Sequence, residues 1–600
     1  MALKYWFEFT DVKTIVHRVE ISDATFVGDS TQIYGSCSLE YSETKDTLEP
    51  VRGSGLQIDL EADSSLTFYD LYSEEERTFS VVYTRATEIL FNGWLSPEGI
   101  YESLVSDKWV ISLDCTDGIG FLKNLSYVED ATGIPFVGKQ SLLDIVVNCL
   151  IRTKTPQNIL TGIDIYYDGL AQTLDPFANV YFNANRFIKD DNNTIMNCDE
   201  VLKSVLEPFG AIITSYKGEW LIYKPNSLFD SSSKVLFAYD SLGVALGTPS
   251  RTIDFAFALG SQIDAYYPHH ANGNQQKTIK SSIGAYRINY KYGLVKSLFT
   301  NLDLQSNTTV PFYYVDEWSI NDTANIEFPM NNLGFILDTI AYASPTPSTT
   351  LLITSDSFNF AQDNVLRFNA TYQFYEQGGI TGKIIAFIYF KVILTDGVDT
   401  YYLDNNGEWI NSDTFISVQL SAQLRNLIIQ SNNIPIDGSV NIEIYRPIRL
   451  NTQGTALDDA IVTQCGLSPI DENLKDIKGE NHTFQRKLKP SSKIKDVKEV
   501  FNGDNPSDLF FGTIYETDSI TPTESWTRFG AAETKPLLQI MGEERMKMYS
   551  KPLQVYKGDV YGYFNYLSLV TINGLTGKFM PTTYSYDALS NITSLELTEV

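Results

Sequence analysis

The feature that most constrains the fold is a series of short runs in which apolar and polar residues alternate. In GLQIDLEAD, Leu56, Ile58 and Leu60 alternate with polar residues, and TFSVVYTR, EILFNGWL and KWVISLDC follow at short spacing. A period of two is the pattern of strands with one buried face, and the Gly, Ser and Pro between the runs are typical of turns. Residues 1–128 are therefore predicted to form a β domain.

Residues 129–245 carry helix signals as well as strands. QSLLDIVVNCLIRT has an apolar face behind Ser141, which resembles the start of a capping box. NCDEVLKSVLEPFG has a stronger pattern, with Asn197 as the cap and Gly210 as the stop. AIITSYKGEWLIYK then predicts two strands around a turn at Lys217-Gly218. We expect a mixed α/β domain in this segment.

Residues 246–480 are rich in Asn, Thr, Ser and aromatic residues and poor in helix signals. VLRFNATYQFY alternates, and KIIAFIYFKVIL is almost continuously apolar, as a strand covered on both faces would be. DTYYLDNNGEWI predicts a hairpin with its turn at Asn406-Gly407. These runs favour a β-sandwich of the jelly-roll type, preceded by a less regular portion.

Residues 481–600 return to mixed structure. TKPLLQIMGEERMKMYSKP predicts a helix with Thr534 as its cap and Pro536 in its first turn. Strands are predicted in QVYKGDVYGYF, KFMPTTYSYD and NITSLELTEV. The predicted fold class is α+β, rich in strands and divided into several domains.

The charge of the chain argues against whole classes of partner. The formal net charge is −29 and the isoelectric point is near 4.5. Phosphate contacts need clustered Lys and Arg, so we expect neither a nucleic-acid-binding surface nor attachment to an anionic membrane.

No signal for export, membrane insertion or a cofactor stands out. Glu8 and Asp11 interrupt the region where a secretory signal would be apolar, and no run of about 18 apolar residues occurs. The cysteines are scattered, without a C-x-x-C pair, and are expected to be reduced, small apolar residues in a cytosolic product: Cys37, Cys115, Cys149, Cys198 and Cys465.

The run DCTDGIG is the most suggestive chemical motif, because Asp114, Cys115 and Asp117 lie within four residues. A calcium loop of the EF-hand type would need further acidic positions and a closing Glu. A nucleophilic Cys115 would need a histidine base, and none of the four histidines is near in sequence. We therefore interpret the run as a strand that ends in a turn, with Asp117 capping a short helix.

Two other runs resemble enzyme motifs without completing them. GDST at 28–31 resembles the serine block of SGNH hydrolases, but no Asp-x-x-His follows to complete a triad. GIPFVGKQS at 133–141 has the glycine spacing of a P-loop, but Gln140 replaces the Ser or Thr that would hold Mg²⁺. Both are interpreted as turns or loops, and the chain is predicted not to be an enzyme.

Three further groups are candidates for binding. KDDNNT at 189–194 could hold Ca²⁺ through oxygen ligands, and His269-His270 could be half of a metal site, but a solvated loop is the simpler interpretation of both. No metal is predicted. Tyr401, Tyr402 and Trp409 could stack on sugars, although packing in the sandwich is the commoner fate of such residues.

Six blocks near the two ends of the chain occur in a characteristic order. They are GSGLQIDLEAD, FNGWLSPEGIYE, KWVISLDCTDGIGFLKNLSY, NCDEVLKSVLEPFGAIITSYKGEWLIYK, TKPLLQIMGEERMKMYSKPLQVYKGDVYGY and GKFMPTTYSYDALSNITSLELTEV. This succession resembles the tail-tip or baseplate hub proteins of long-tailed bacteriophages, especially those of Bacteroidetes-type hosts. The resemblance covers about 1–230 and 485–600. The middle region lies outside the resemblance and looks like an insertion into the hub.

The resemblance implies a structural protein of the virion. It implies β-barrel-like hub domains, a homotrimeric ring at the tail tip, and assembly in the host cytoplasm. The implied partners are other copies of the chain, the tail tube and distal tail proteins, the tape measure protein, tail fibres or a spike, and DNA only in transit. Host attachment through a surface glycan on the inserted region is a further expectation.

Other functions stay open at this stage. The chain could be a receptor- or glycan-binding tail protein whose hub-like parts serve as an anchor. Folding could also bring together paired carboxylates for glycoside hydrolysis, although no local motif supports that chemistry. A hub of a contractile system is an alternative to one of a non-contractile tail.

Overall fold

The computed structural model describes most of the chain, with gaps concentrated between 247 and 510. The described residues are 1–42, 48–62, 66–102, 109–188, 195–228, 236–246, 256–260, 268–271, 273–282, 285–291, 306–307, 314–315, 318–327, 334–342, 344–360, 362, 365–376, 385–450, 458–470, 478–485, 494–500, 502–504, 511–523 and 525–600.

Strands dominate the described residues. Up to residue 245 they are β1 (Ala2–Thr10), β2 (Val16–Asp23), β3 (Thr31–Gln32), β4 (Tyr34–Tyr41), β5 (Val51–Arg52), β6 (Ser54–Ala62), β7 (Phe79–Arg85), β8 (Glu88–Glu102), β9 (Trp109–Thr116), β10 (Lys139–Ser141), β11 (Ile159–Gly162), β12 (Ile165–Tyr167), β13 (Tyr181–Asn183), β14 (Ile212–Tyr216), β15 (Glu219–Tyr223) and β16 (Phe237–Tyr239). In the next hundred residues they are β17 (Ala256–Leu259), β18 (His269–His270), β19 (Gln276–Lys280), β20 (Ala285–Lys291), β21 (Ser306–Asn307), β22 (Tyr314–Val315), β23 (Trp318–Ile320), β24 (Ile326–Glu327), β25 (Phe335–Asp338) and β26 (Ile340–Ala341).

The remaining strands run to the C-terminus. They are β27 (Leu351–Ser355), β28 (Phe358–Phe360), β29 (Val365–Glu376), β30 (Ala386–Thr395), β31 (Thr400–Leu403), β32 (Trp409–Ile410), β33 (Ile416–Gln419), β34 (Arg425–Gln430), β35 (Gly438–Arg449), β36 (Asp458–Ile470), β37 (Lys478–Gln485), β38 (Ile494–Val500), β39 (Ile514–Tyr515), β40 (Trp526–Arg528), β41 (Leu553–Tyr561), β42 (Leu569–Ile572), β43 (Phe579–Asp587) and β44 (Ile592–Glu599).

Helices are short in the described residues. The α-helices are α1 (Leu142–Ile151), α2 (Pro176–Asn179), α3 (Cys198–Leu206), α4 (Pro225–Leu228) and α5 (Leu537–Tyr549). Turns of 3-10 helix are Phe68–Asp70, Ile119–Asn124, Ala184–Phe187, Glu207–Phe209 and Thr323–Asn325. The β-rich, multi-sheet architecture agrees with that part of the predicted fold class.

The two ends of the chain build one sheet, which we call the joined sheet. Its strand order is β18-β41-β44-β43-β4-β6-β9-β8-β7-β2-β1-β3, with β17, β19 and β42 at the side. The junction is the antiparallel pair of β4 and β43, in register from Ser38 beside Asp587 to Tyr41 beside Tyr584. At the N-terminal edge of the sheet, β3 pairs in parallel with β1, and Ile33 N–H donates to Trp6 O at 2.9 Å.

A single core lies under the joined sheet and draws on both ends of the chain. Leu39, Ile58 and Leu113 come from the N-terminal strands, and Tyr584 and Leu597 come from the C-terminal ones. All five are nearly or fully buried. On β6, every second residue from Ser54 to Ala62 is buried. One face of this strand therefore lies on the core.

A second core forms around α1 and α3. The sheet in this unit has the order β16-β11-β15-β14-β5, and α1 and α3 pack on each other and share its core. Trp526 and Ile540, from far along the chain, complete the same core. The C-terminal segment therefore contributes to both units, through β41 to β44 in one and through β40 and α5 in the other.

The predicted local signals in this unit are confirmed. Asn197 Oδ1 accepts from Glu200 N–H at 2.8 Å, and the Glu200 carboxylate accepts from Asn197 N–H at 3.0 Å, which completes a capping box on α3. Ser141 caps α1. Gly210 takes the left-handed conformation that ends the helical segment, and the turn between β14 and β15 lies at Lys217 and Gly218.

The middle region contains a β-sandwich with its own core. Its sheets have the orders β21-β22-β23-β27-β35-β30-β31-β32 and β24-β25-β36-β29-β34, with β26, β28 and β33 at the side of the first. Phe390 and Ile442 of one sheet share a core with Phe368 and Leu467 of the other. The loop between β31 and β32 includes the predicted turn residue Gly407, whose φ is 85°.

Two expectations need correction. Thr534 does not cap α5, because that helix begins at Leu537 behind Pro536, which offers no side-chain acceptor. Within the predicted 246–480 region, β17, β18 and β19 pair with β42 and β41 of the joined sheet and not with the sandwich. Residue composition could not separate these strands from the sandwich, because strands of both kinds use the same polar and aromatic residues.

Two matched core substitutions test whether the cores unfold separately. Ile58→Ala lies in the joined-sheet core and Ile442→Ala in the sandwich core, and both side chains are fully buried. Each substitution should lower the free energy of unfolding by about 2–5 kcal/mol, because it leaves a cavity in a packed core. In scanning calorimetry, each variant should lower a different transition. A single shared transition that both variants lower equally would contradict independent cores.

Candidate functional site: an acidic sheet face

The outer face of the joined sheet carries carboxylates across strands from both ends of the chain. Residues paired across neighbouring strands share a face, so the register places side chains beside one another. One row joins Asp559, Ser594, Ser585 and Glu40. The carboxylates on this outward face, which we call the acidic face, are Glu40, Asp59, Glu61, Asp114, Asp559, Asp587 and Glu596.

Cations are nearly absent from these strands. The seven strands β41, β44, β43, β4, β6, β9 and β8 contain one basic residue, Lys557, which is paired across the strands with Glu596. The other outward positions include small polar residues such as Ser36 and Thr116, and also the exposed large side chains of Tyr34, Tyr101 and Val110. The excess of carboxylates over cations gives the face a negative potential.

Serine hydroxyls partner several of these carboxylates. Ser112 Oγ donates to Asp59 Oδ1 at 2.5 Å, and Ser594 Oγ donates to Asp559 Oδ1 at 2.7 Å. Burial, and then the charge of Asp59, raises the pKa of Asp114 on the neighbouring strand. Hydroxyl donors stabilise closely spaced carboxylates without supplying a positive charge, so the face stays negative.

The acidic face ends in a cleft of about 840 Å³ between the joined sheet and the α1–α3 unit. Glu40 and Thr116 lie on the sheet side, and Lys123, Asp199 and Lys203 lie on the helical side. Lys203 is already engaged, with its Nζ 2.8 Å from Asp199 Oδ2. The cleft lies where four chain segments meet, those around Ser54, Asp117, Asp199 and Tyr584.

Asp117 of the DCTDGIG run lies at this junction and is fully buried. The Ser54 backbone N–H and hydroxyl donate to its Oδ2 at 2.6 and 2.9 Å, and Ile119 N–H donates to its Oδ1 at 3.0 Å. Burial raises the pKa of Asp117 to about 6, against the opposing effect of these hydrogen bonds. Asp117 thus ties the end of β9 to the start of β6 and to the following 3-10 helix.

The geometry of Asp114 and Cys115 favours the structural interpretation of that run. Cys115 points into the joined-sheet core, and burial raises the pKa of its thiol, which opposes formation of a nucleophilic thiolate. Asp114 points to the opposite face. The two side chains do not share a site, because successive residues of a strand alternate between its faces.

Most of the other sequence candidates lie apart from the acidic face. His269 is different, because it pairs with Tyr561 of β41 in the row that continues through Ile592 to Asp587. GDST leads into the exposed strand β3, and Gln140 of the P-loop-like run pairs with Phe182 in β13. His270 is beside β41, with Nδ1 2.8 Å from Tyr556 Oη. KDDNNT at 189–194 lies outside the described residues. Among the described residues, no group of three or more His, Cys, Asp and Glu side chains could hold a metal ion.

The three predicted sugar-stacking residues do not form one platform. Tyr401 and Trp409 are partly buried and pack against the sandwich core. Tyr402 lies on the other face of β31, where Lys391 Nζ is 5.7 Å from its ring centroid. The alternation of the strand separates neighbours 401 and 402, which the linear sequence placed side by side. A glycan contact at these residues stays a prediction.

None of the described helices is long and apolar enough to cross a lipid bilayer.

Replacing Asp117 by Asn tests its role as a buried junction. The variant should lose about 1–3 kcal/mol of unfolding free energy at neutral pH, because an amide NH₂ cannot accept from the Ser54 or Ile119 donors. The folded-state pKa of about 6 exceeds the unfolded value of 3.8, so protonation stabilises wild type as pH falls and that stabilisation is lost as pH rises through 6.

The advantage of wild type over Asp117→Asn should therefore widen as the pH falls from about 6 towards 3.8. Urea unfolding at several pH values measures this difference. Asp59→Asn, on the exposed acidic face, controls for the removal of one carboxylate. A difference that stays constant with pH would show that Asp117 does not titrate in this window.

Comparisons with known proteins identify no family. No protein-family model matches the chain, and no curated protein matches it. Among solved structures, the 43 kDa tail protein of prophage MuSo2 from Shewanella oneidensis has a TM-score of 0.36 and 8% identity over 97% of this chain and 98% of that one. A tail protein from Neisseria meningitidis MC58 has a TM-score of 0.27 and 10% identity over 47% and 64% of the two chains.

A third solved structure, prophage tail protein gp18 from Listeria monocytogenes EGD-e, has a TM-score of 0.24 and 9% identity, over 50% of this chain and 67% of that one. Scores and identities this low establish neither a common fold nor a common activity.

Proposed function

We propose that the chain is a structural protein of a phage virion, a tail-tip or baseplate hub that joins the tail tube to the distal tip and the host-recognition apparatus. In this proposal it forms a homotrimeric ring and has no enzymatic role. The hub-like sequence blocks at both ends of the chain motivate the proposal, and one structural observation carries it.

That observation is the joining of the two chain ends in one sheet with an acidic outer face. A ring that surrounds a channel for DNA needs a wall that does not retain the polyanion. A wall with an excess of carboxylates over cations repels phosphate. Seven strands of the joined sheet that contain Lys557 as their one basic residue meet this need.

The position of the sandwich also supports a hub. Its core is made of residues between Trp318 and Leu467, while the segments before and after it build the other two cores. Because strands from the two ends of the chain complete the joined sheet, the sandwich can be inserted in the middle of the chain without interrupting that sheet. The module is then free to contact tail fibres, a spike or a host surface glycan.

The remaining partners follow from the same proposal. They are the tail tube and distal tail proteins, the tape measure protein, and DNA in transit. Assembly would take place in the host cytoplasm and the product would lie at the tail tip of the virion.

The mass of the purified protein in solution tests the ring. Light scattering across a range of concentrations should give three times 67.5 kDa, the mass of one chain. Neutral substitution of exposed loop carboxylates such as Glu75→Gln should leave this mass unchanged and serves as the control. A monomer at every concentration would contradict self-assembly into a ring.

Charge reversal tests the acidic face as a polyanion-repelling surface. Wild type should not retain linear duplex DNA, whereas the triple variant Glu40→Lys, Asp59→Lys, Glu61→Lys should bind it at least about tenfold more tightly, with strong salt dependence. The control is Glu74→Lys, Glu75→Lys, Glu76→Lys, which makes the same charge change on an exposed loop. Equal DNA retention by both variants in a mobility-shift assay would contradict a special role for this face.

A further inference from the structure

Lys224 lies between two carboxylates in the interior of the protein. It follows β15 and is 1% exposed. Its Nζ lies 2.7 Å from Asp164 Oδ1, just before β12, and 2.5 Å from Oε1 of Glu544 in α5. Glu544 is 6% exposed, and the side chain of Asp164 is about one quarter exposed, at 26%. The amine and one carboxylate are therefore held in contact where little water reaches them.

We propose that Lys224 and Glu544 condense into an intramolecular amide bond. The Lys224 Nζ–Glu544 Cδ bond forms, the bond from Cδ to one carboxylate oxygen breaks, and one water molecule leaves. Two protons of the lysine ammonium depart with that oxygen. No oxidant, reductant or other reactant is needed, and the net charge is unchanged because one cation and one anion are consumed.

The neighbouring groups suit this step. Asp164 is within hydrogen-bond distance of Nζ, so its carboxylate can take a proton from the ammonium and pass it to the leaving oxygen. Arg528 Nε lies 3.2 Å from Glu544 Oε1, where it can stabilise negative charge on that oxygen during attack. Burial raises the pKa of Glu544, which favours the carboxylic acid form that an amine attacks.

Burial and proximity also favour the product. Two charges in the interior carry a desolvation cost that a neutral amide does not. Fixed reacting groups can reach effective concentrations on the order of 10⁵–10⁸ M, which offsets the preference of free amines and carboxylates for the ionic forms in water.

The position of the bond would serve a protein that bears load. Lys224 precedes the sandwich in the chain, and Glu544 follows it. An amide between them would covalently link the two ends of the chain segment that contains the sandwich. Force applied to the sandwich would then pass to a covalent clamp between β15 and α5 rather than to their packing alone.

A second lysine provides an internal comparison. Lys391 Nζ lies 2.6 Å from Asp413 Oδ1, a similar contact distance, but the Asp413 side chain is 60% exposed. Water stabilises that carboxylate in its ionic form, so this contact should remain an ion pair. The two sites separate the effect of burial from that of a short contact.

Mass spectrometry of the full-length protein tests the proposal. The denatured wild-type protein should be lighter than its sequence by one water molecule. After trypsin digestion, a branched peptide should join the segments around Lys224 and Glu544. Peptides around Lys391 and Asp413 should be unmodified. A folded wild-type protein with its full sequence mass would overturn the proposal.

Two variants assign the roles. Lys224→Arg keeps the positive charge but should restore the full mass, because arginine does not form the amide. Asp164→Asn keeps the size of the side chain but removes the proton acceptor, so most of the protein should retain its full mass. Loss of water in Lys224→Arg, or a branched peptide that lacks Lys224, would assign the mass loss elsewhere and overturn the proposal.

Discussion

The antiparallel pairing of β4 with β43 is the interaction on which the rest of the architecture depends. It joins Ser38–Tyr41 near the N-terminus to Tyr584–Asp587 near the C-terminus. Without it, the sheet would divide into an N-terminal part that ends at β4 and a C-terminal part that ends at β43. The shared core and the acidic face both cross this junction, so both depend on it.

Tyrosine side chains reinforce the junction from the buried side. Tyr41 stacks on Tyr566 with ring centroids 4.1 Å apart, and Tyr584 meets both rings edge to face. Arg52 Nη1 donates to Tyr566 Oη at 2.8 Å, so a buried guanidinium is held within the same cluster. Aromatic packing of this kind adds stability beyond buried area and fixes how the two strands face one another.

Local chemistry was predictable from the sequence where it depends on near neighbours. The capping box at Asn197 and the turn at Lys217 and Gly218 each follow from a few adjacent residues. The role of Asp117 does not: the N-cap of the following 3-10 helix is Gly118, and two of the hydrogen bonds to the Asp117 carboxylate come from Ser54, 63 positions away. The pairing of β4 with β43 was not predictable, because alternation defines a strand but not its partner. For the same reason the sequence showed an acidic chain but not an acidic face.

The predicted sugar-stacking group shows the same limit. Tyr401 and Tyr402 are adjacent in sequence, and a period of two sends them to opposite faces once the strand forms. Thr534 is an acceptable cap by residue type, yet α5 begins beyond its reach at Leu537. In both cases residue type indicated what a side chain can do, and the backbone geometry decided what it contacts.

The proposed hub requires the acidic face to line the channel of a ring. A cryo-electron microscopy map of the purified, assembled protein tests this requirement most directly. We expect a closed three-fold ring in which Glu40, Asp59 and Asp587 face the central channel and the sandwich lies outside it. A ring with these residues on its outer surface, or buried between subunits, would contradict it.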